Sequence, residues 1–128
     1  MTETTICIID DDKIYQSLTK KMLLRFHENS NILQFMNGKE ALEYFRSKIY
    51  QNEHLPRIVL LDINMPVMDG WEFLGKLEEL ETDFKSIKIH IVSSSIAIAD
   101  MEKAKGNHNI ASYITKPIRL DIIKNLFS

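Results

Sequence analysis

Ile58-Val59-Leu60-Leu61-Asp62-Ile63-Asn64-Met65-Pro66-Val67-Met68-Asp69-Gly70 is the stretch whose reading decides the fold. A short run, apolar at every position, ends in an aspartate. A proline-containing loop follows, and Asp69-Gly70 opens the next apolar pattern. Such a run has the composition of a strand buried on both faces, as in a parallel sheet covered by helices. The same arrangement recurs on either side of it. Ile6-Cys7-Ile8-Ile9 precedes Asp10-Asp11, Ile89-His90-Ile91-Val92 precedes Ser93, and Tyr113-Ile114-Thr115 precedes Lys116-Pro117. Ligands of an open parallel sheet bind in the crevice outside the carboxyl ends of its strands. Asp10, Asp11, Asp62, Ser93 and Lys116 are therefore expected to converge on one site.

Helical patterns separate these runs, so the chain reads as five repetitions of strand then helix. After the strand Thr5–Ile9, Ile14, Leu18, Met22 and Phe26 recur every four residues and predict an amphipathic helix with this stripe inward. Residues 32–36 form the second strand. Asn37 is placed to cap the next helix, with Glu40 at the capping-box position and Ala41, Leu42, Phe45 and Ile49 on its inner face. Strand 57–61 leads to a helix capped by Asp69, with Phe73, Leu74, Leu77 and Leu80 inward and Gly70 serving the loop conformation. Strand 88–92 precedes a weakly striped helix over 97–105 that Gly106 ends. Strand Ile110–Thr115 precedes a last helix lined by Leu120, Ile123 and Phe127. Alternation with such short connections implies parallel strands with helices on both faces, a doubly wound, three-layer α/β sandwich.

The chain has 128 residues, 45% of them hydrophobic and 27% charged, with a formal net charge of -2. That length predicts one domain over 1–128, with no output domain after it. The charge balance disfavours nucleic acid as a partner. Met1-Thr2-Glu3-Thr4-Thr5 lacks the basic and apolar regions of a secretory signal. No run reaches the roughly 20 apolar residues of a membrane helix, so a cytoplasmic protein without membrane association is expected. The lone cysteine, Cys7, reads as a core residue. His27, His54, His90 and His108 show no ligand spacing and read as surface or loop residues. Trp71 reads as packing on a helix surface, or else as a partner contact.

The polar cluster carries the chemistry. Carboxylates as close as Asp10, Asp11 and Asp62 require a cation or a shared proton. A few hard oxygen ligands with room for water suit Mg2+ better than zinc. Lys116 adds a positive charge for phosphoryl oxygens, and Ser93 adds a hydrogen bond. A carboxylate left over beside a metal and a lysine can attack phosphorus and form an aspartyl phosphate. Asp12 reads instead as the N-cap of the first helix.

Ile8-Ile9-Asp10-Asp11-Asp12, the stretch from Leu60 to Gly70, Ile91-Val92-Ser93-Ser94 and Tyr113-Ile114-Thr115-Lys116-Pro117 resemble, in order and spacing, the receiver domain of bacterial two-component response regulators. The likeness spans essentially the whole chain and is closest to single-domain, chemotaxis-regulator-like members. It implies a flavodoxin-like (βα)5 fold and a stand-alone receiver. Asp62 would accept a phosphoryl group from a sensor histidine kinase or a histidine phosphotransfer protein. Asp10 and Asp11 would bind Mg2+ with Asp62 and the backbone carbonyl of Asn64. Lys116 would pair with the phosphate, across a cis Lys116–Pro117 bond. Ser93 and Tyr113 would act as the switch, moving a surface made by the fourth helix, fifth strand and fifth helix. Output would pass to an unnamed protein or along a phosphorelay, without turnover of external substrates. Asn64 and Ser95 occupy the positions that tune phosphate lifetime. The run from Asn107 to Tyr113 departs from the family pattern near the switching surface. Two other functions compete. A Mg2+-dependent phosphohydrolase would use Asp10 and Asp12 as its Asp-x-Asp pair but leaves Asp62 without a role. A flavin carrier would need a phosphate loop that the acidic run after the first strand opposes.

Overall fold

Ile6 and Ile8 pack on one side of the central sheet, and Cys7 and Ile9 on the other. This two-sided burial is what an apolar strand without alternation requires. The computed structural model describes residues 4–80 and 86–127; most of the polar N-terminal stretch, residues 1–3, lies outside them. The elements alternate strictly: β1 (Thr5–Ile9), α1 (Lys13–Phe26), β2 (Asn31–Phe35), α2 (Gly38–Tyr50), β3 (Ile58–Leu61), α3 (Gly70–Glu79), β4 (Lys88–Ser93), α4 (Ile98–Lys105), β5 (Ile110–Thr115) and α5 (Leu120–Lys124). All strands pair in parallel, in the order β2-β1-β3-β4-β5. The doubly wound fold is therefore present.

One core layer joins Cys7, Ile9, Val59, Leu61, Ile89 and Ile91 to Phe45 of α2 and Phe73 and Leu77 of α3. The other joins Ile6, Ile8, Ile58, Leu60 and Val92 to Leu23 of α1 and Ile123 near the C-terminus. The chain leaves β1 for β2 on one side and returns to β3 on the other. Their register sets Ile9 beside both Phe35 and Leu61. Asp10 and Asp62, the next residues of β1 and β3, thus emerge side by side at the point where the strand order reverses.

The caps at Asp12, Asn37 and Asp69 form as expected, each side chain accepting the backbone N–H three residues on. The stripe on α1 does not. Ile14 is 82% exposed and Leu18 49%, while Gln16, Thr19 and Leu23 are buried. A four-residue spacing advances 400° on a helix of 100° per residue, so the stripe drifts around the axis. Only Met22 and Phe26 reach the core layer. The last helix also differs, because α5 is short, Leu120 is exposed, and Leu126 beyond the helix joins Ile123 in the core. His90 lies within β4, half-buried, with its Nδ1 2.6 Å from Ser112 Oγ. It is not a surface or loop residue, because β4 has covered neighbours on both sides.

Gly70 is needed for space, not for its backbone freedom. No glycine among the described residues has positive φ. A Cβ on Gly70 would lie 2.3 Å from the Asp62 carbonyl oxygen, so only glycine lets α3 start against the end of β3. The left-handed residue of this loop is Val67, at φ 71°, where Met68 N–H donates to Pro66 O at 2.8 Å across it. A β-branched residue there is strained.

Candidate functional site

Asp10 is buried at the end of β1. Its Oδ1 accepts from Asp12 N–H at 3.0 Å, and its Oδ2 lies 2.7 Å from Lys116 Nζ. The same ammonium is 3.6 Å from Asp62 Oδ2. Lys116 stands in the loop after β5, where its own N–H donates to Ser93 O at 2.9 Å and its bond to Pro117 is cis. Carboxylate oxygens of Asp10, Asp11 and Asp62 all lie within 4.8 Å of one another. Asp11 is the exposed member of the three.

This crowding sets the charges. Burial, then the negative charge of Asp10, pushes the Asp62 carboxyl up to about 6, although Lys116 and the Ile63 N–H act the other way. Burial alone would lower Lys116. Its hydrogen bond to Asp10 and the charge of Asp62 outweigh burial, and the ammonium is held above its ordinary value. Lys116 is therefore charged at neutral pH, and a further cation beside Asp62 would favour its charged form.

The remaining residues singled out from the sequence lie around this cluster. Ser93 is buried at the end of β4, its Oγ accepting from Ser95 N–H at 3.1 Å. Tyr113 is half-buried on β5 and donates its hydroxyl to Ser95 O at 2.8 Å. Asn64 is exposed, two residues beyond Asp62. Asp12 is committed to capping α1. The acidic trio and Lys116 are thus in direct contact, whereas Ser93 and Tyr113 meet through Ser95.

Several contributors were not read from the sequence. Gln16 Nε2 donates to the carbonyls of Ile8, Asp10 and Phe35 at 2.9–3.1 Å, pinning the ends of β1 and β2. Its signal was the phase of Leu23, one heptad on, which the Ile14 stripe obscured. Tyr15 lies under Lys116, with Nζ 4.4 Å from its ring centroid, and its hydroxyl accepts from Ile118 N–H at 3.0 Å. That contact fixes the lysine loop against α1. Asp100 of α4 accepts from Ser95 Oγ at 2.7 Å and from Trp71 Nε1 at 3.1 Å.

Clustered carboxylate oxygens are hard donors that fit a divalent cation. The Lys116 ammonium, in contact with two of them, brings a positive charge to the same place.

Known proteins resemble this chain in sequence and in fold. The methanogen Methanothrix harundinacea has a protein described as "probable methanogenesis regulatory protein FilR2", 29% identical over 119 residues that cover 93% of this chain and 76% of that protein. The response regulator Rcp1 of Synechocystis is 26% identical over 95% of this chain and 80% of that protein, whereas of two sensor kinases among the relatives this chain spans only 13%. A two-component response regulator from Cytophaga hutchinsonii superposes with a TM-score of 0.85 at 25% identity, covering 99% of this chain and 96% of that one. The phosphorylated cyanobacterial phytochrome response regulator RcpA superposes with a TM-score of 0.82 at 28% identity, covering 98% and 91%. The response regulator receiver domain family matches residues 6–127. With its aspartates and lysine gathered at the switch point of a 2-1-3-4-5 sheet, the chain belongs to the response regulator receiver domain family.

Proposed function

We propose that this receiver takes a phosphoryl group on Asp62, in a Mg2+-dependent reaction, from a histidine kinase or a histidine phosphotransfer protein. The observation that carries the reading is the placement of Asp62 between two further carboxylates and the Lys116 ammonium. Asp62 Oδ attacks phosphorus as the phosphorus–nitrogen bond of the donor breaks. The electron pair goes to the departing imidazole, which takes its proton from solvent. Asp10, Asp11, Asp62 and the Asn64 carbonyl would hold the ion, which when bound offsets carboxylate charge and polarises phosphoryl oxygens. Lys116 orients and neutralises the incoming group, Ser93 donates its hydroxyl to it, and Tyr113 follows the loop that Ser93 moves. The exposed Ile14 and Leu18 on α1, directly after the acidic run, offer an apolar seat for a helical donor. The exposed Ile98, Met101 and Ile122 offer another for a downstream protein. Signalling is by interaction or relay in the cytoplasm, without turnover of an external substrate. The capping role of Asp12 weighs against the phosphohydrolase alternative, which needs that carboxylate in the pocket.

The test is intact-mass spectrometry after incubation with acetyl phosphate, with Mg2+, with chelator, and on Asp62→Asn. A single phosphoryl adduct that requires Mg2+ and Asp62 is expected. An adduct on Asp62→Asn, or one indifferent to chelator, would overturn the assignment.

A further inference from the structure

The β4–α4 loop turns on Ser95. Its N–H donates to Ser93 Oγ at 3.1 Å, its carbonyl accepts from Tyr113 Oη at 2.8 Å, and its Oγ accepts from Ala97 N–H at 3.3 Å. The Ser95 hydroxyl proton goes to Asp100 Oδ2 at 2.7 Å, and the other Asp100 oxygen accepts from Trp71 Nε1 at 3.1 Å. Trp71 is the second residue of α3, directly after Gly70. Gly70 N–H donates to Ile63 O at 2.8 Å, and Gly70 abuts the Asp62 carbonyl. A chain of contacts results, Asp62, Gly70, Trp71, Asp100, Ser95, Ser93, and it returns to the pocket through Lys116, whose N–H donates to Ser93 O at 2.9 Å. Lys103, one turn after Asp100, covers the indole with Nζ 5.1 Å from the ring centroid.

An acid in the first turn of a helix is commonplace, because the helix dipole favours it. Asp100 differs in where its oxygens point. It accepts from side chains of the β4–α4 loop and of α3, and those two hydrogen bonds hold its carboxyl below the usual carboxylate range.

We propose that Asp100 is a positioning residue for phosphoryl transfer, setting the separation of the Asp62 loop, through Trp71, from the Ser93 loop, through Ser95. The proposal rests on the assignment of Asp62 as acceptor and extends it to how the hydroxyl is aimed. With Ser95 N–H occupying a lone pair of Ser93 Oγ, the Ser93 proton is left to face the pocket. Releasing Asp100 lets the loop relax and misaims that hydroxyl. Small misplacements of a contributing group are costly in rate.

The experiment is the rate of adduct formation from acetyl phosphate and Mg2+, with Trp71 emission followed in parallel, since Trp71 is the only tryptophan. Asp100→Ala and Trp71→Phe are each expected to slow phosphorylation about three- to tenfold. Asp100→Asn still accepts from the indole and can donate to Ser95 Oγ, and it is expected to recover most of the rate. The emission change that accompanies phosphorylation in the wild type is expected to be lost in Asp100→Ala. The deciding arm is the Ser93→Ala background. If Asp100 acts through Ser93, Asp100→Ala adds no further slowing there, whereas a general structural role slows both backgrounds equally. Equal slowing overturns the proposal, as do wild-type rates in both Asp100→Ala and Trp71→Phe. Trp71→Phe removes one N–H and keeps the ring, so the test survives an Asp100→Ala protein that fails to fold. No adduct in the wild type would remove the acceptor assignment, and the proposal with it; an adduct in the wild type with unaltered variants removes the proposal alone.

Discussion

The crevice at β1 and β3 and the rim at β5 are made from similar apolar strands, yet they are held in opposite ways. In the crevice the buried polar groups are tied to one another. Asp10 meets Lys116 and the Asp12 N–H, Gln16 ties three carbonyls, and Gly70 is pressed against Asp62. At the rim β5 pairs on one side only, α4 buries only Ala104, α5 is short, and Ile96, Ile98, Leu120 and Ile122 face solvent. The difference teaches how one sheet holds two kinds of region: a charge-crowded, densely bonded centre and a thinly packed margin of the kind that opens most readily.

The comparison can be broken at several points. The largest effect is expected from Asp62→Asn, with complete loss of the phosphoryl adduct by intact mass. Next, Gln16→Leu removes the side-chain donor to the Ile8, Asp10 and Phe35 carbonyls and should cost about 2 kcal/mol in urea unfolding. A loss near zero would mean the crevice is less tightly held than its hydrogen bonds imply.

Third, in chelator at pH 7, Asp62→Asn should gain about 1–2 kcal/mol, a few degrees in Tm, by removing a crowded charge. The Asp62 carboxyl stands at about 6 when folded against its ordinary 3.8. Between these values the folded wild type binds the extra proton, so its stability falls as pH rises. The gain should therefore be small at pH 4 and full at pH 7. A gain independent of pH would point away from charge crowding. Fourth, Val67→Gly should stabilise by about 1 kcal/mol by relieving the left-handed valine. The smallest effect belongs to the rim, where Ile98→Ser and Ile122→Ser should stay within about 0.5 kcal/mol of wild type.

The crevice was legible from sequence because each contributor ends a strand, and a strand-end position fixes where a short side chain emerges. Asp10, Asp11, Asp62 and the root of Lys116 needed no more than that, while Ser93 ends its strand as expected but touches Ser95. The helices were less legible. Ile14 and Leu18 shared a spacing with true core residues but not a phase, and the polar Gln16 held the central position that a hydrophobic count passes over. Gly70 was read as a conformational need, although close approach is its cause and the unusual backbone falls on Val67. Tyr15, Ser95, Asp100 and Trp71 act across elements far apart in the chain, and no local pattern records such contacts.

Lys116 has a consequence that follows from its address. It is rooted beyond β5, the outermost strand, yet its ammonium rests on Asp10 at the sheet's middle. The counter-ion of the centre is thus on loan from the margin. If Asp62 carries the proposed acyl phosphate, a protein that binds β5 or α5 more tightly in the phosphorylated form must stabilise that form, and phosphorylation must raise that protein's affinity by the same factor.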